Sequence, residues 1–136
     1  MLKIDFWKNE NDREKGVIDP ALFSSKAEKL AQEIAGDIEH NKSVNKRTQI
    51  RKFYDEVVRL DMEAKSRDEE WPNIIPLIHM MTARAAYSRG RNLISDGFLE
   101  FIKHSVDQIR SPKDLTVFVN FFEAFMGFYR LHGPKN

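Results

Sequence analysis

Cysteine is absent from this 136-residue sequence, which excludes disulfides and any thiolate-held zinc and accords with a reducing compartment. Glycine is scarce, at six residues. No G-x-x-x-x-G-K-[ST] loop occurs, and Gly90 and Gly97 stand too far apart to cradle a phosphate. Long apolar runs are missing as well. The most apolar stretch, 74–86, carries Arg84 and is too short to cross a bilayer. The opening Met1-Leu2-Lys3-Ile4-Asp5-Phe6-Trp7-Lys8 is broken by charge after each apolar pair and has no signal-peptide core. A cytoplasmic protein without membrane association is therefore expected. The four histidines, His40, His79, His104 and His132, are scattered, with no H-x-x-x-H pair and no carboxylate at ligand spacing. No carboxylate pair marks a general acid and base. The expectation is a chain with no catalytic residues, no metal and no cofactor.

What is present is helical periodicity. Hydrophobic residues make up 41% of the chain, ten of them Phe, enough to bury one core. Residues 1–19 are polar and read as a flexible N-terminal arm with little core of its own. Residues 20–136 read as one helical domain. A first helix opens at Asp19-Pro20 or at Ser25, with Ala27, Leu30, Ile34 and Ile38 as its buried stripe. A second spans about 45–65, with Ile50, Phe53, Val57, Leu60 and Ala64 inward. The third begins near Asn73, is apolar on nearly every face and is expected at the centre of the bundle. Gly90 is its expected stop. A fourth follows Ser95-Asp96 with Phe98, Phe101, Ile102, Val106 and Ile109 inward, and a fifth runs from Ser111-Pro112 to Gly133-Pro134. The fold class is all-α, a single-domain five-helix bundle with a short polar N-terminal arm.

The fifth helix carries more large apolar side chains than one buried face uses. Phe121, Phe125 and Phe128 share one face; Phe118, Phe122 and Tyr129 share another. One set is expected in the core and the other at a subunit interface, with self-association as the consequence.

Net charge is only +1, yet the charges are segregated. Residues 41–54 hold Lys42, Lys46, Arg47, Arg51 and Lys52 and no acid; residues 71–95 hold Arg84, Arg89 and Arg91 and again no acid. Acids crowd the stretch between, from Asp55 to Glu70. Such segregation produces a basic and an acidic face on one molecule, although solvated helices also carry such clusters. Arg51 and Lys52 can pair with Asp55 and Glu56 one turn on. Lys42, Lys46 and Arg47 have no acid nearby in sequence, and cations in the first turn oppose the helix dipole unless an anion docks there. Tyr54 and Tyr87 interleave the basic positions and can touch sugar or base. The pattern suits contact with a nucleic-acid backbone better than base reading.

Three stretches carry a family resemblance. Thr48-Gln49-Ile50-Arg51-Lys52-Phe53-Tyr54-Asp55-Glu56-Val57 resembles the Q-I-R-K-F-Y segment of the small subunit of type III-A (Csm) CRISPR effector complexes. Arg84-Ala85-Ala86-Tyr87-Ser88-Arg89-Gly90-Arg91 is similar to that family's basic A-Y-x-x-G-R stretch. Phe121-Phe122-Glu123-Ala124-Phe125, followed by Tyr129 and Gly133, resembles its closing aromatic helix. The likeness spans roughly residues 22–135. Arg89 and Met126-Gly127 depart from the family pattern, and residues 1–20 have no counterpart in it.

The resemblance implies a non-catalytic subunit whose copies stack as a filament and contact target RNA, or the guide–target duplex, through phosphates. Its partners would be the guide-bearing backbone subunits and the large multidomain subunit, with cleavage and signal-nucleotide synthesis residing in other subunits. Arg51, Lys52, Arg84 and Arg91 carry over at matching positions. The RNA-facing set is thus Lys42, Lys46, Arg47, Arg51, Lys52, Arg84, Arg89 and Arg91. Two alternatives stand beside it: a protein–protein adaptor using the aromatic fifth helix, and a metal-free hydrolase built on His79.

Overall fold

The computed structural model describes residues 2–135. Among these, six α-helices and three short 3-10 turns occur, and no strand. The helices are α1 (Glu10–Lys15), α2 (Ser25–Gly36), α3 (Arg47–Ser66), α4 (Trp71–Gly90), α5 (Asp96–Asp107) and α6 (Pro112–His132). Five of them are long, and the sixth, α1, is a short turn within the N-terminal arm. Both candidate openings of the first long helix are used: Asp19 caps a 3-10 turn at Pro20–Phe23, and α2 starts two residues later.

The α3 stripe is buried as its 3.6-residue period requires: Ile50, Phe53, Val57, Leu60 and Ala64 all face the core. The Ser95 hydroxyl accepts the Phe98 N–H at the start of α5, and the Ser111 hydroxyl accepts the Asp114 N–H at the start of α6. These are N-caps that satisfy otherwise orphaned donors, and Pro112 in the first turn has no N–H to lose.

The centre of the bundle is α6, not the helix at 71–90. It packs against α2 on one flank and α3 on another, and the rings of α5 reach it: Phe101 lies 5.1 Å from Phe122 and 5.4 Å from Phe125. Phe118, Phe121, Phe122, Phe125 and Tyr129 are all buried, and Phe128 is half-buried against the same core. Five of these six rings are therefore enclosed by the chain itself, and Phe128 alone of the expected interface set keeps part of its surface open. The physical reason is enclosure from several sides, which leaves α6 only a narrow solvent stripe through Asn120, Glu123, Gly127 and Arg130. By contrast α4 is peripheral, packed on α5 and α3. It buries only Ile74, Ile78, Met81 and Ala85; Trp71 and Leu77 pack partly against the core, and Met80 is exposed.

The N-terminal arm likewise departs from expectation. Phe6 and Trp7 are 1% and 6% exposed and join the core, with the Phe6 ring 6.0 Å from Phe118. Gln108 clamps the arm backbone: its Oε1 accepts the Phe6 N–H at 2.7 Å and its Nε2 donates to the Ile4 carbonyl at 3.0 Å. Buried Asp114 accepts the Trp7 indole N–H at 3.2 Å and Arg13 Nη1 at 2.6 Å. Polar composition concealed this, because two rings suffice to dock an arm when their partners sit a hundred residues away.

Candidate nucleic-acid interface

The basic residues separate into those that meet and those the fold diverts. Asn45 sets the approach to α3. It is fully buried with φ of 62°, its amide donates to the Ile34 carbonyl and the Ser95 hydroxyl, and its Oδ1 accepts the Ser95 N–H. The Tyr129 hydroxyl donates to the Asn45 carbonyl at 2.5 Å, and burial pushes the Tyr129 phenol pKa well up. This knot fixes where α3 begins. Lys42 and Lys46 lie on the exposed side of the approach, with no carboxylate within 4.0 Å among the described residues. Arg47 turns the other way. Its guanidinium donates to the carbonyls of Arg130, at 3.1 Å, and Lys135, at 3.3 Å, capping the negative end of α6. Arg47 is thus a structural cation, which its sequence neighbourhood gave no means of foreseeing.

Between α3 and α4 runs a groove of about 480 Å³. Lys52 from α3, Arg84 from α4 and Arg91 just past its end line it, over an apolar floor that includes Phe53 and Met81. Two residues on its wall are unusually open for their type: Tyr87 is 65% and Met80 48% exposed. The Arg91 guanidinium lies 5.7 Å from the Tyr87 ring centroid, a cation–π arrangement that holds both side chains at the rim. Arg84 Nη1 reaches Glu56 at 2.9 Å, and Glu56 is shared with Arg59 at 2.8 Å. The Arg59 hydrogen bond, helped by Arg84, holds the Glu56 carboxyl below its usual range, so the groove keeps one anion that partly neutralises Arg84. Arg51 stands beside Lys52 on α3, 67% exposed and 3.9 Å from Asp55, a loose pair. Arg89 faces away, bound to Asp96 at 2.6 Å beside a separate cavity that also includes Asp37 and His40.

The profile of the Csm2 type III-A family matches residues 19–135. The chain belongs to the Csm2 type III-A family. It is accordingly the small subunit of a type III-A CRISPR complex. Among curated proteins and among solved structures, none matches the chain.

The Csm2 match begins at Asp19, leaving residues 1–18 outside it although Phe6 and Trp7 are core. Within the Csm2 segment the fold brings Lys52, Arg84 and Arg91 together, keeps Lys42, Lys46 and Arg51 exposed outside the groove, and commits Arg47 and Arg89 to internal partners. Tyr54 is half-buried with its ring 5.4 Å from Phe122. It is consequently a packing residue more than an exposed platform. Gln49 and Met80 also line the groove and escaped sequence reasoning. Gln49 stood inside the Q-I-R-K-F-Y segment and could have been flagged, whereas Met80 was indistinguishable from core residues in an apolar run. His79 is exposed and does not line the groove. No group of three metal-ligating side chains occurs among the described residues, and no described helix is long and apolar enough to cross a membrane.

Proposed function

We propose that this Csm2-family subunit is a non-catalytic RNA clamp that holds the phosphate backbone of target RNA along the α3–α4 groove. Lys52, Arg84 and Arg91 contact phosphates, Tyr87 offers its ring to a sugar or base, and Lys42, Lys46 and Arg51 supply further charge outside the groove. The carrying observation is convergence: cations from segments more than thirty residues apart in sequence meet at one groove beside an exposed tyrosine. Arginine forks suit phosphate oxygens bidentately, and an exposed aromatic face tolerates any base. Sequence choice then falls to guide–target pairing, with the protein reading charge and shape. Copies stacked as a filament beside the guide-bearing backbone subunits and the large multidomain subunit multiply contacts that one copy makes weakly.

Single-stranded RNA binding followed by fluorescence anisotropy over a salt series tests this. Affinity should fall with salt at a log–log slope of about −0.7 per phosphate engaged. Lys52→Glu and Arg91→Glu should each weaken binding on every RNA sequence while altering stability by no more than about 0.5 kcal/mol, as exposed substitutions do. Affinity indifferent to salt, or unchanged in both variants, would overturn the reading.

A further inference from the structure

A second basic cleft, of about 330 Å³, lies between the N-terminal arm and α2 and shares no residue with the α3–α4 groove. Lys3 and Lys8 of the arm and Lys26 and Lys29 of α2 line it. The arm lies along α2 with Leu2 donating its N–H to Glu33 at 3.3 Å near the far end of that helix. The cleft also contains two carboxylates, and both are already engaged. Asp5 meets His104 Nε2 at 2.8 Å, while Asp19 accepts the Ala21 N–H at 3.0 Å and pairs with Lys26 at 3.4 Å. Lys3, Lys8 and Lys29 are exposed and have no carboxylate within 4.0 Å among the described residues. Lys26 is partly neutralised by Asp19, whereas Lys29, one turn on along α2, is left with its charge open to the cleft. Ile4, Phe6 and Trp7 provide low-dielectric walls, which focus the field of the lysines into the cleft.

We infer that this arm–α2 cleft is a second polyanion site that takes the phosphodiester backbone of single-stranded RNA, so that one copy grips RNA at two separate places. Every basic side chain lining the cleft is a lysine, a mobile point charge that binds phosphates without a fixed geometry and so suits a flexible single strand presenting one charge after another. The cleft exists only because Phe6 and Trp7 dock the arm, and two of its four lysines lie in residues 1–18, outside the family match. It is therefore a property of this chain that its family membership does not supply.

Lysine acetylation footprinting of the full chain at low salt, with and without an oligouridine strand, tests the site residue by residue. Oligouridine should protect Lys3, Lys8, Lys26 and Lys29, and should still do so in the Lys52→Glu/Arg91→Glu double variant. Lys3→Glu/Lys29→Glu should reduce the salt slope of RNA binding by about 1.4, the loss of two single-strand phosphate contacts. Protection by a polyglutamate peptide but not by RNA would make the cleft a protein contact and overturn the inference, as would no protection by either. Protection of the four cleft lysines with Lys52 left fully reactive would instead overturn the groove reading and leave this one standing.

Discussion

Asn45 concentrates more of the fold than any charged residue does. It adopts a left-handed backbone, φ 62°, which Asn tolerates better than other non-glycine residues. Its side chain ties the end of α2 to the α4–α5 connection, and its carbonyl receives Tyr129 from α6. Every one of these groups is buried or half-buried, so removing a partner leaves the full desolvation penalty behind. Asn45→Ala should lower unfolding free energy by about 3 kcal/mol or more, combining left-handed strain with orphaned polar groups. Asn45→Gly should cost less than Asn45→Ala because the backbone conformation is then unstrained. Urea denaturation of the two variants checks the order. Equal losses would mean that the conformation contributes nothing and the hydrogen bonds everything. The position was silent in the sequence, where an asparagine between Val44 and Lys46 looks like any loop residue.

At the scale of elements, α6 holds the molecule together and α4 shapes its surface. Phe125 touches Phe98, Phe101, Phe122 and Tyr129, so one ring links three aromatic neighbours on two helices with the residue that reaches Asn45. Phe125→Ala should destabilise by about 3–5 kcal/mol, as truncation of a buried ring does. Two residues away the opposite sign is expected at Gly127, which is exposed and whose added Cβ would meet nothing within 4 Å. Gly127→Ala should stabilise by about 0.5–1 kcal/mol through helix propensity alone. Thermal melts of the two variants read both effects, and a destabilised Gly127→Ala would mean that this stripe of α6 is not free. The peripheral position of α4 has a functional consequence: Met80, Arg84 and Tyr87 are available to a groove only because α6 occupies the centre in its place.

For the whole molecule, the burial of five of the six α6 rings leaves only part of Phe128 from the surface through which self-association was expected. The free chain should scatter light as a monomer across a concentration series and assemble only along RNA or with other subunits. Dimers that form without RNA would have to use the apolar side chains that remain exposed, of which Leu131, at 73%, is the most open. Such a dimer dissociating on Leu131→Ser would locate the contact at the end of α6. Two basic clefts on one copy, with Glu56 the one acid of α3 that lines the α3–α4 groove, provide the charge segregation that a net charge of +1 hides.

Local chemistry and periodicity determined much of this by themselves. Ser95 and Ser111 cap helices because the cap needs only the next few residues, and the α3 stripe is buried because 3.6-residue spacing aligns its side chains whatever they pack against. The family could be read from three short segments for the same reason, each being contiguous. Tertiary structure alone decided which apolar helix is central, since both α4 and α6 are apolar on most faces and only packing chooses between them. It alone sent Arg47 to the end of α6 and Arg89 to Asp96, while Arg84 and Arg91 reached the groove. A side chain's charge is local, but the partner that claims it lies tens of residues away in the chain and becomes adjacent only on folding.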